Sequence, residues 1–328
     1  MEKRIVSLFN DHILMEAAEK FAIPYHTIKL IGKHQSFVFE YSLKGKPYIL
    51  RITHESHRSV DMIMAELDWI IYLSENGVSV SKPIPSVHNQ FVEVLACSNA
   101  TFIATSFEKS PGHRPGPSDW NPEALKAQGE ITGYMHKLAK GFRPKNKRYE
   151  WDDNDFISNA DLYIPKSQEK VLFNYKELIE DLHELPKGSD VYGIIHGDIL
   201  GSNFFIENGK ITLFDFDESS YSWFMNDIAI QIFYCSINMN GHVDEESSHY
   251  FTKHFFEGYF KQNHLDENWF EQIPFFLKLR EFILYTAIYK SHDLSKLDDW
   301  TQGFMNERQV RLENKAPFIS IDFTKYAI

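Results

Sequence analysis

The sequence predicts an α+β chain: a smaller N-terminal part built on an antiparallel sheet and one helix, then a larger, mainly helical part that carries a β-hairpin. Three observations lead there. Residues 27–31, 36–43 and 48–53 alternate apolar and polar side chains, and Lys44-Gly45-Lys46-Pro47 turns the second run into the third, the pattern of a half-buried antiparallel meander. From residue 228 onward the apolar residues recur at helical spacing. Between these regions, Asn208-Gly209 separates Phe204-Phe205-Ile206-Glu207 from Ile211-Thr212-Leu213-Phe214. Both central residues of a type I′ turn need positive φ, which makes Asn-Gly the strongest short hairpin signal.

Residues 11–21 form an amphipathic helix with Ile13, Leu14, Ala17, Ala18 and Phe21 on one face, closed by Pro24. After the meander, residues 60–74 form a second helix whose Ile63, Leu67, Ile70 and Ile71 share a face. Glu66 lies beside that face, where a carboxylate needs a cation. Asn76-Gly77 ends this helix, and residues 91–95 and 101–105 read as strands. The segment Pro111-Gly112-His113-Arg114-Pro115-Gly116-Pro117 is the best boundary by composition, which divides the chain into 1–108 and 109–328. Asn121-Pro122 then starts a helix, with a capping side chain and proline at its first position. His136 within it reads as a hydrogen-bonded structural histidine. Residues 163–185 are expected to be helical, residues 228–237 to form a buried helix with Cys235 in the core, and three more helices to follow near 247–263, 268–292 and 300–313. Arg148-Tyr149-Glu150-Trp151-Asp152-Asp153-Asn154-Asp155 reads either as a solvated acidic turn or as a lip for a cationic ligand.

A length of 328 residues suggests about two domains on a prior of ~150 residues each. Hydrophobic residues at 43% and charged residues at 24% are globular proportions. The net charge of −12 argues against nucleic acid, whose binding rests on Lys and Arg against phosphates. Cys97 and Cys235 are too few and too far apart for a disulfide framework or a zinc site. No apolar run approaches the ~18 residues of a membrane span, so a cytoplasmic protein without membrane contact, monomeric or homodimeric, is the expectation.

The chemistry concentrates around His196-Gly197-Asp198-Ile199-Leu200-Gly201-Ser202-Asn203. Val191, Tyr192, Ile194 and Ile195 bring the chain up as a short strand, and His196-Gly197 breaks it to set Asp198 on a loop. Pairing outward from the hairpin turn sets Glu207 against Lys210, Phe205 against Thr212 and Asn203 against Phe214, so Asn203 and Asp215 finish side by side. Strict register would point them to opposite faces, so the strand ends must bend for both to reach one ion. Asp198, Asp215 and Asp217 also converge there, with no Lys or Arg between Asp198 and Lys210. At ~6 Å and an effective dielectric of about 20, each close carboxylate pair repels by about 3 kcal/mol. A cation, a shared proton or a distant base must answer this charge. An Asn among carboxylates is an oxygen-rich set suited to Mg²⁺, which is held by one or two carboxylates together with substrate phosphates.

The spacing of His196, Asp198 and Asn203, followed by Asp215-Phe216, is similar to the protein-kinase loop His-Arg-Asp, four residues, Asn, with its later Asp-Phe-Gly. Gly197 replaces Arg, and Asp217 replaces Gly. With these departures, and with the later Asn226-Asp227-Ile228-Ala229, the passage resembles the aminoglycoside phosphotransferase and choline kinase family, small-molecule kinases with the protein-kinase-like fold. The resemblance implies two lobes: an N-terminal antiparallel-sheet lobe that binds nucleotide, and a larger, mainly helical C-terminal lobe for catalysis and acceptor binding. It also implies ATP or GTP with Mg²⁺, Asp198 as catalytic base, Asn203 and Asp215 as metal ligands and Asp227 as an anchor of the loop. Asp217 assists the metal or holds the loop. Arg51 stands where kinases carry the phosphate-pairing Lys of the third strand and would pair with Glu66; the alternative is a solvated strand arginine. The loop Gly32-Lys33-His34-Gln35-Ser36 would cover the phosphates, with Ser36 at its end, and Ser106 and Phe107 would line the adenine pocket. Tyr289, His292, Asp293, Asp299 and Trp300 are candidates for the acceptor pocket.

The acceptor expected on this reading is a hydroxyl of a small amine-bearing molecule such as an aminoglycoside, an amino alcohol or homoserine. A protein Ser/Thr kinase of the same family and a nucleotide-binding pseudokinase are alternatives, the latter motivated by Arg51 and the single loop glycine. Ile211 to Ser219 also resembles the Asp-x-Asp opening of haloacid-dehalogenase-type phosphatases. That reading puts the motif late in the chain and leaves Asp198 and Asn203 without a role.

Overall fold

The computed structural model of the protein describes residues 3–97 and 100–327. Strands β1 (Lys29–Lys33), β2 (Phe37–Leu43), β3 (Lys46–His54), β4 (Pro83–Ile84), β5 (Glu93–Cys97) and β6 (Ala100–Glu108) make one antiparallel sheet. Its order is β1, β2, β3, β6, with β4 and β5 pairing successive stretches of β6. The first strand begins at Lys29 because Tyr25–Thr27 close a 3-10 turn after Pro24.

Alternation along β3 gives the sheet two different faces. Leu50 and Ile52 pack with Phe37, Phe39, Tyr41 and Phe102 beneath the helix Asp11–Lys20, which contributes Ile13, Ala17 and Ala18. Ile49 and Arg51 turn the other way, into a cleft that Ile70 and Glu66 of the helix Val60–Glu75 also line. This helix is capped by Ser59, whose hydroxyl accepts from the Met62 N–H at 3.2 Å. Its Ile63, Leu67, Trp69, Ile70 and Leu73 join the large core of the C-terminal part. Each such side chain contributes roughly 1.5–3 kcal/mol by burial, so the helix is held by both parts of the molecule.

The C-terminal part is built on the helices Pro122–Ala139, Glu169–His183, Phe224–Cys235, Glu245–Tyr259 and Ile273–Ser291. The helix expected over 163–185 starts only at Glu169, and the one expected over 300–313 is split. Pro165 separates Ala160–Tyr163 from Glu169–His183, and Glu307 at φ 54° separates Asp299–Met305 from Arg308–Glu313. Asn121 caps the first of these helices through Ala124 N–H at 3.0 Å. Among the described residues, no helix is long and apolar enough to cross a membrane. Burial pushes the Cys235 thiol up to about 12, which leaves it inert; the side chain of Cys97 lies outside the described residues. The acidic turn is tied internally: Asp153 accepts from the Glu150 N–H, Asp155 pairs with Lys290, and Asp152 lies 3.3 Å from His183.

Four short strands serve the catalytic stretch. β8 (Phe204–Glu207) and β9 (Lys210–Leu213) form the hairpin, with Glu207 opposite Lys210 and Phe205 opposite Thr212. Asn208 at φ 52° and Gly209 at φ 75° turn it. β7 (Tyr192–Ile195) pairs with β10 (Ser220–Trp223), a strand that no alternating run announced. The hairpin is clasped on both sides. Leu213 exchanges backbone bonds with Ser79 and Ser81, each at 2.9 Å, and Ile206 does so with His113 of the linker, at 2.9 and 3.2 Å.

Candidate active site

Between the sheet and the hairpin lies a cavity of about 570 Å³. Ile31, Val38, Ile49, Phe107, Phe205 and Phe214 give it apolar walls; Lys33, Arg51, Lys109 and Arg114 give it positive charge; Asn203 and Asp215 face it from the hairpin end. Flat apolar walls suit a base, and the cations suit phosphates.

The loop that carries Asp198 is fixed from below by Asp227 of the helix Phe224–Cys235. Asp227 accepts the backbone N–H groups of His196 and Gly197, at 3.2 and 3.0 Å, and lies 3.1 Å from His136 Nε2. His136 is fully buried, and its other nitrogen meets the Tyr259 hydroxyl at 3.0 Å. Burial opposes the charge of Asp227, but the hydrogen bond from His136, the nearby His136 and His196 rings and the Gly197 N–H together outweigh it and lower the pKa. His196 is also fully buried, and burial lowers its pKa. The neutral ring accepts from the Asp198 N–H through Nδ1 and donates through Nε2 to the Phe214 carbonyl, each at 3.3 Å. One imidazole thereby ties the catalytic loop to the end of the hairpin. Gly197 sits at φ 79°, and a Cβ there would stand 2.6 Å from the Glu218 carbonyl oxygen, so the arginine of the protein-kinase loop has no room here.

Asn203 and Asp215 reach the same cavity because the second strand ends in a reversal. Asp215 takes φ 62°, a left-handed conformation that Asp tolerates better than most residues. Asn203 donates Nδ2–H to the Asp198 carbonyl at 2.9 Å and to Asp198 Oδ2 at 2.7 Å, which leaves its Oδ1 free as a ligand oxygen. Burial, then the neighbouring Asp217, pushes Asp215 up to about 7, against the pull of Arg51. A carboxylate at the cavity wall beside an amide oxygen that no described residue engages fits a divalent cation. Among the described residues, no three His, Cys, Asp or Glu side chains converge as a complete cage. The donor set therefore matches an ion shared with phosphates, as Mg²⁺ commonly is.

The other two carboxylates are answered by distant bases. Asp217 meets His57 Nε2 at 2.8 Å and accepts from Arg58 Nε at 3.2 Å. Burial opposes its charge, but those partners hold it well below the usual carboxylate range. With its oxygens on His57 and Arg58, Asp217, which also borders the cavity, joins the start of the Val60–Glu75 helix to the end of the hairpin, as the loop-holding half of its expected role requires. Arg148 supports the same joint, donating to the carbonyls of Asp217, Ser219 and Met62. Asp198 accepts from Arg280 Nη2 at 3.1 Å.

Arg51 donates to both oxygens of Glu66, at 2.8 and 2.7 Å, with its guanidinium 5.1 Å from the Phe107 ring. Burial opposes its charge, yet Glu66 outweighs this and the pKa ends above the ordinary arginine value. Ser36 lines the cavity and bonds the Thr53 hydroxyl at 2.8 Å. The Ser106 side chain does not line it. Ser106 pairs with Leu50 and Phe107 with Ile49, and directly opposed residues share a face. Phe107 therefore looks into the cleft, while the Ser106 hydroxyl is spent on Tyr41 at 2.8 Å. None of Tyr289, His292, Asp293, Asp299 and Trp300 lines the cavity. Arg280, earlier on the helix Ile273–Ser291, is the residue that reaches Asp198. Sequence reasoning passed over His57, Arg58, Tyr234 and Arg280, and took Arg148 only as part of the acidic stretch that follows it. Lys278, Arg280 and Glu281 fall within one turn of a largely apolar helix, which marks a charged spot but not its partner.

Comparison with known proteins supplies the relatives. The model of the phosphotransferase enzyme family matches residues 27–260. Amicoumacin kinase of Bacillus subtilis (strain 168) is 34% identical over 331 residues, 99% of this chain and 98% of that protein. A solved structure of amicoumacin kinase hAmiN in complex with AMP-PNP, Ca²⁺ and Ami superposes with a TM-score of 0.92 at 33% identity, over 99% of both chains. The microcompartment-associated aminopropanol kinase, at 17% identity and a TM-score of 0.74 over 93% of this chain and 95% of its own, shares the fold. A two-lobed kinase-like architecture, a catalytic loop and hairpin with the family's spacing and a relative alike from end to end agree: the chain belongs to the phosphotransferase enzyme family and is a kinase.

Proposed function

We propose that this chain transfers the γ-phosphate of ATP, with a divalent metal ion, to a hydroxyl of a small amine-bearing molecule, and that amicoumacin is the first acceptor to try. The observation that carries this reading is 34% identity to an amicoumacin kinase across 99% of the chain. The net charge of −12 favours an acceptor with a positive group.

On this reading the nucleotide lies between a lobe of residues 1–108 and a lobe of residues 109–328. Phe107 and the facing aliphatic side chains hold the base; Ser36 closes the loop over the phosphates; Arg51, aimed by Glu66, grips them. Asn203 and Asp215 hold the metal ion, which when bound neutralises charge on the phosphate oxygens. Asp198 orients the acceptor hydroxyl. As the acceptor oxygen bonds to the γ-phosphorus, the bond from that phosphorus to the β–γ bridging oxygen breaks, the hydroxyl proton passes to a carboxylate oxygen of Asp198, and ADP leaves.

The test is incubation of the purified chain with Mg·ATP and separate acceptors: amicoumacin, aminoglycosides, amino alcohols, homoserine and sugars. Phosphorylated amicoumacin by mass spectrometry is the expected result. Transfer confined to another pool would replace the acceptor, and no transfer to any would overturn the reading.

A further inference from the structure

Both oxygens of the Asp198 carboxylate are held, by side chains from different parts of the chain. Asn203 takes Oδ2 at 2.7 Å from within the same loop, whereas Arg280 takes Oδ1 at 3.1 Å from 82 residues further on. Arg280 is itself fixed: the same Nη2 lies 3.0 Å from the Tyr234 hydroxyl, and its guanidinium carbon stands 5.0 Å from the Tyr234 ring centre. It projects from a helix whose neighbouring positions Phe276, Leu277, Leu279 and Phe282 are buried hydrophobics. Its Nε–H is buried with no hydrogen-bond partner among the described residues, and an orphaned donor of this kind destabilises the fold. The donors that Arg280 does satisfy are aimed at one oxygen of Asp198 and at Tyr234.

We propose that Arg280 is a positioning residue: it locks the Asp198 carboxylate in one rotamer, so that the lone pair left facing the cleft meets the acceptor hydroxyl. A carboxylate tied only through Oδ2 can still swing about its Cβ–Cγ bond. A second tie on Oδ1 removes that freedom. The guanidinium suits this task because it lies over the Tyr234 ring while its Nη2 meets both the Asp198 Oδ1 and the Tyr234 hydroxyl, and the compact ammonium of a lysine does not reproduce that flat, oriented donor. The proposal rests on the reading of Asp198 as the base.

The test compares wild type with Arg280→Ala, Arg280→Lys and Tyr234→Phe in the full chain. The readouts are kcat and KM for ATP and for amicoumacin, ATP hydrolysis without acceptor, nucleotide affinity and thermal unfolding. Arg280→Ala is expected to lower kcat by about 100-fold, the scale of a 1 Å misplacement, in both transfer and hydrolysis, with nucleotide affinity unchanged. Added ethylguanidinium should restore part of the loss, which a purely structural defect would not allow. Arg280→Lys, which keeps the charge and guards against a misfolded alanine variant, should fall between the two. A kcat within about 3-fold of wild type in Arg280→Ala, or a loss shared equally by nucleotide binding and untouched by ethylguanidinium, overturns the proposal. If wild type hydrolyses ATP but leaves amicoumacin unmodified, the acceptor reading fails alone, and the hydrolysis rates still decide the role of Arg280.

Discussion

Removing Glu66 strands a buried cation, and the structure sets the size of the effect. The Arg51 and Glu66 side chains are 10% and 1% exposed, and two hydrogen bonds of 2.8 and 2.7 Å join them. Breaking a buried pair by deleting one partner costs about 3–5 kcal/mol, whereas replacing both partners with apolar groups of similar volume is close to neutral. Arg51 keeps the Thr105 hydroxyl at 3.4 Å and the Phe107 ring, so Glu66→Leu is expected near the lower end, ~3 kcal/mol. Arg51→Met should cost a comparable amount, because it leaves the Glu66 carboxylate at the cleft without its partner. The double variant Arg51→Met/Glu66→Leu should recover to within about 1 kcal/mol of wild type. Equilibrium urea denaturation of all four proteins measures this, with the midpoint shifting at constant slope. Affinity for Mg·ATP, followed in parallel, should be lost in the double variant although it folds. A Glu66→Leu cost below about 1 kcal/mol, or a double variant no more stable than the singles, would refute the reasoning.

Other expectations follow from the same geometry. Asp215 has a folded pKa of about 7 against an ordinary 3.8, so it binds its proton more tightly when folded. The stability of the metal-free protein should therefore fall as pH rises from about 4 to 7, Asp215→Asn should flatten that fall, and Mg²⁺ should stabilise wild type but not the variant in calorimetry. Arg58→Ala removes the guanidinium from Asp217 and should destabilise the protein by about 1.5–3 kcal/mol, the worth of a hydrogen bond to a charged group, with a fall in turnover; an unchanged midpoint in urea would count against the joint. Gly197→Ala meets a carbonyl oxygen at 2.6 Å in a left-handed backbone. It should cut turnover by at least about 100-fold, and a steady-state rate near wild type would contradict the close approach.

The hairpin was legible because its information is local. Asn208-Gly209 sets the turn, the turn sets the register, and the register brings Asn203 beside Asp215. The need for a bend was legible too, but not its form, since nothing in Phe214-Asp215-Phe216 announces a positive φ at Asp215. The pair of Arg51 with Glu66 came from the helical face of Glu66 and the resemblance together. Ser106 could have been excluded from the sequence alone: if Phe107 faces the cleft, the residue before it cannot. The partners of Asp217 and Asp198 were out of reach. His57 and Arg58 lie 160 and 159 residues from Asp217 in the chain, and no periodicity encodes a tertiary contact of that range. The charge argument still pointed the right way, because three converging carboxylates required cations and two of the three found them in side chains.

The most direct test of the central claim compares phosphate transfer from Mg·ATP to amicoumacin by wild type and by Asp198→Asn, with nucleotide affinity measured in both. The expected result is a loss of turnover of about 10²–10⁴-fold at unchanged affinity. Transfer at a near wild-type rate by Asp198→Asn would contradict the assignment of Asp198 as the group that receives the acceptor's proton.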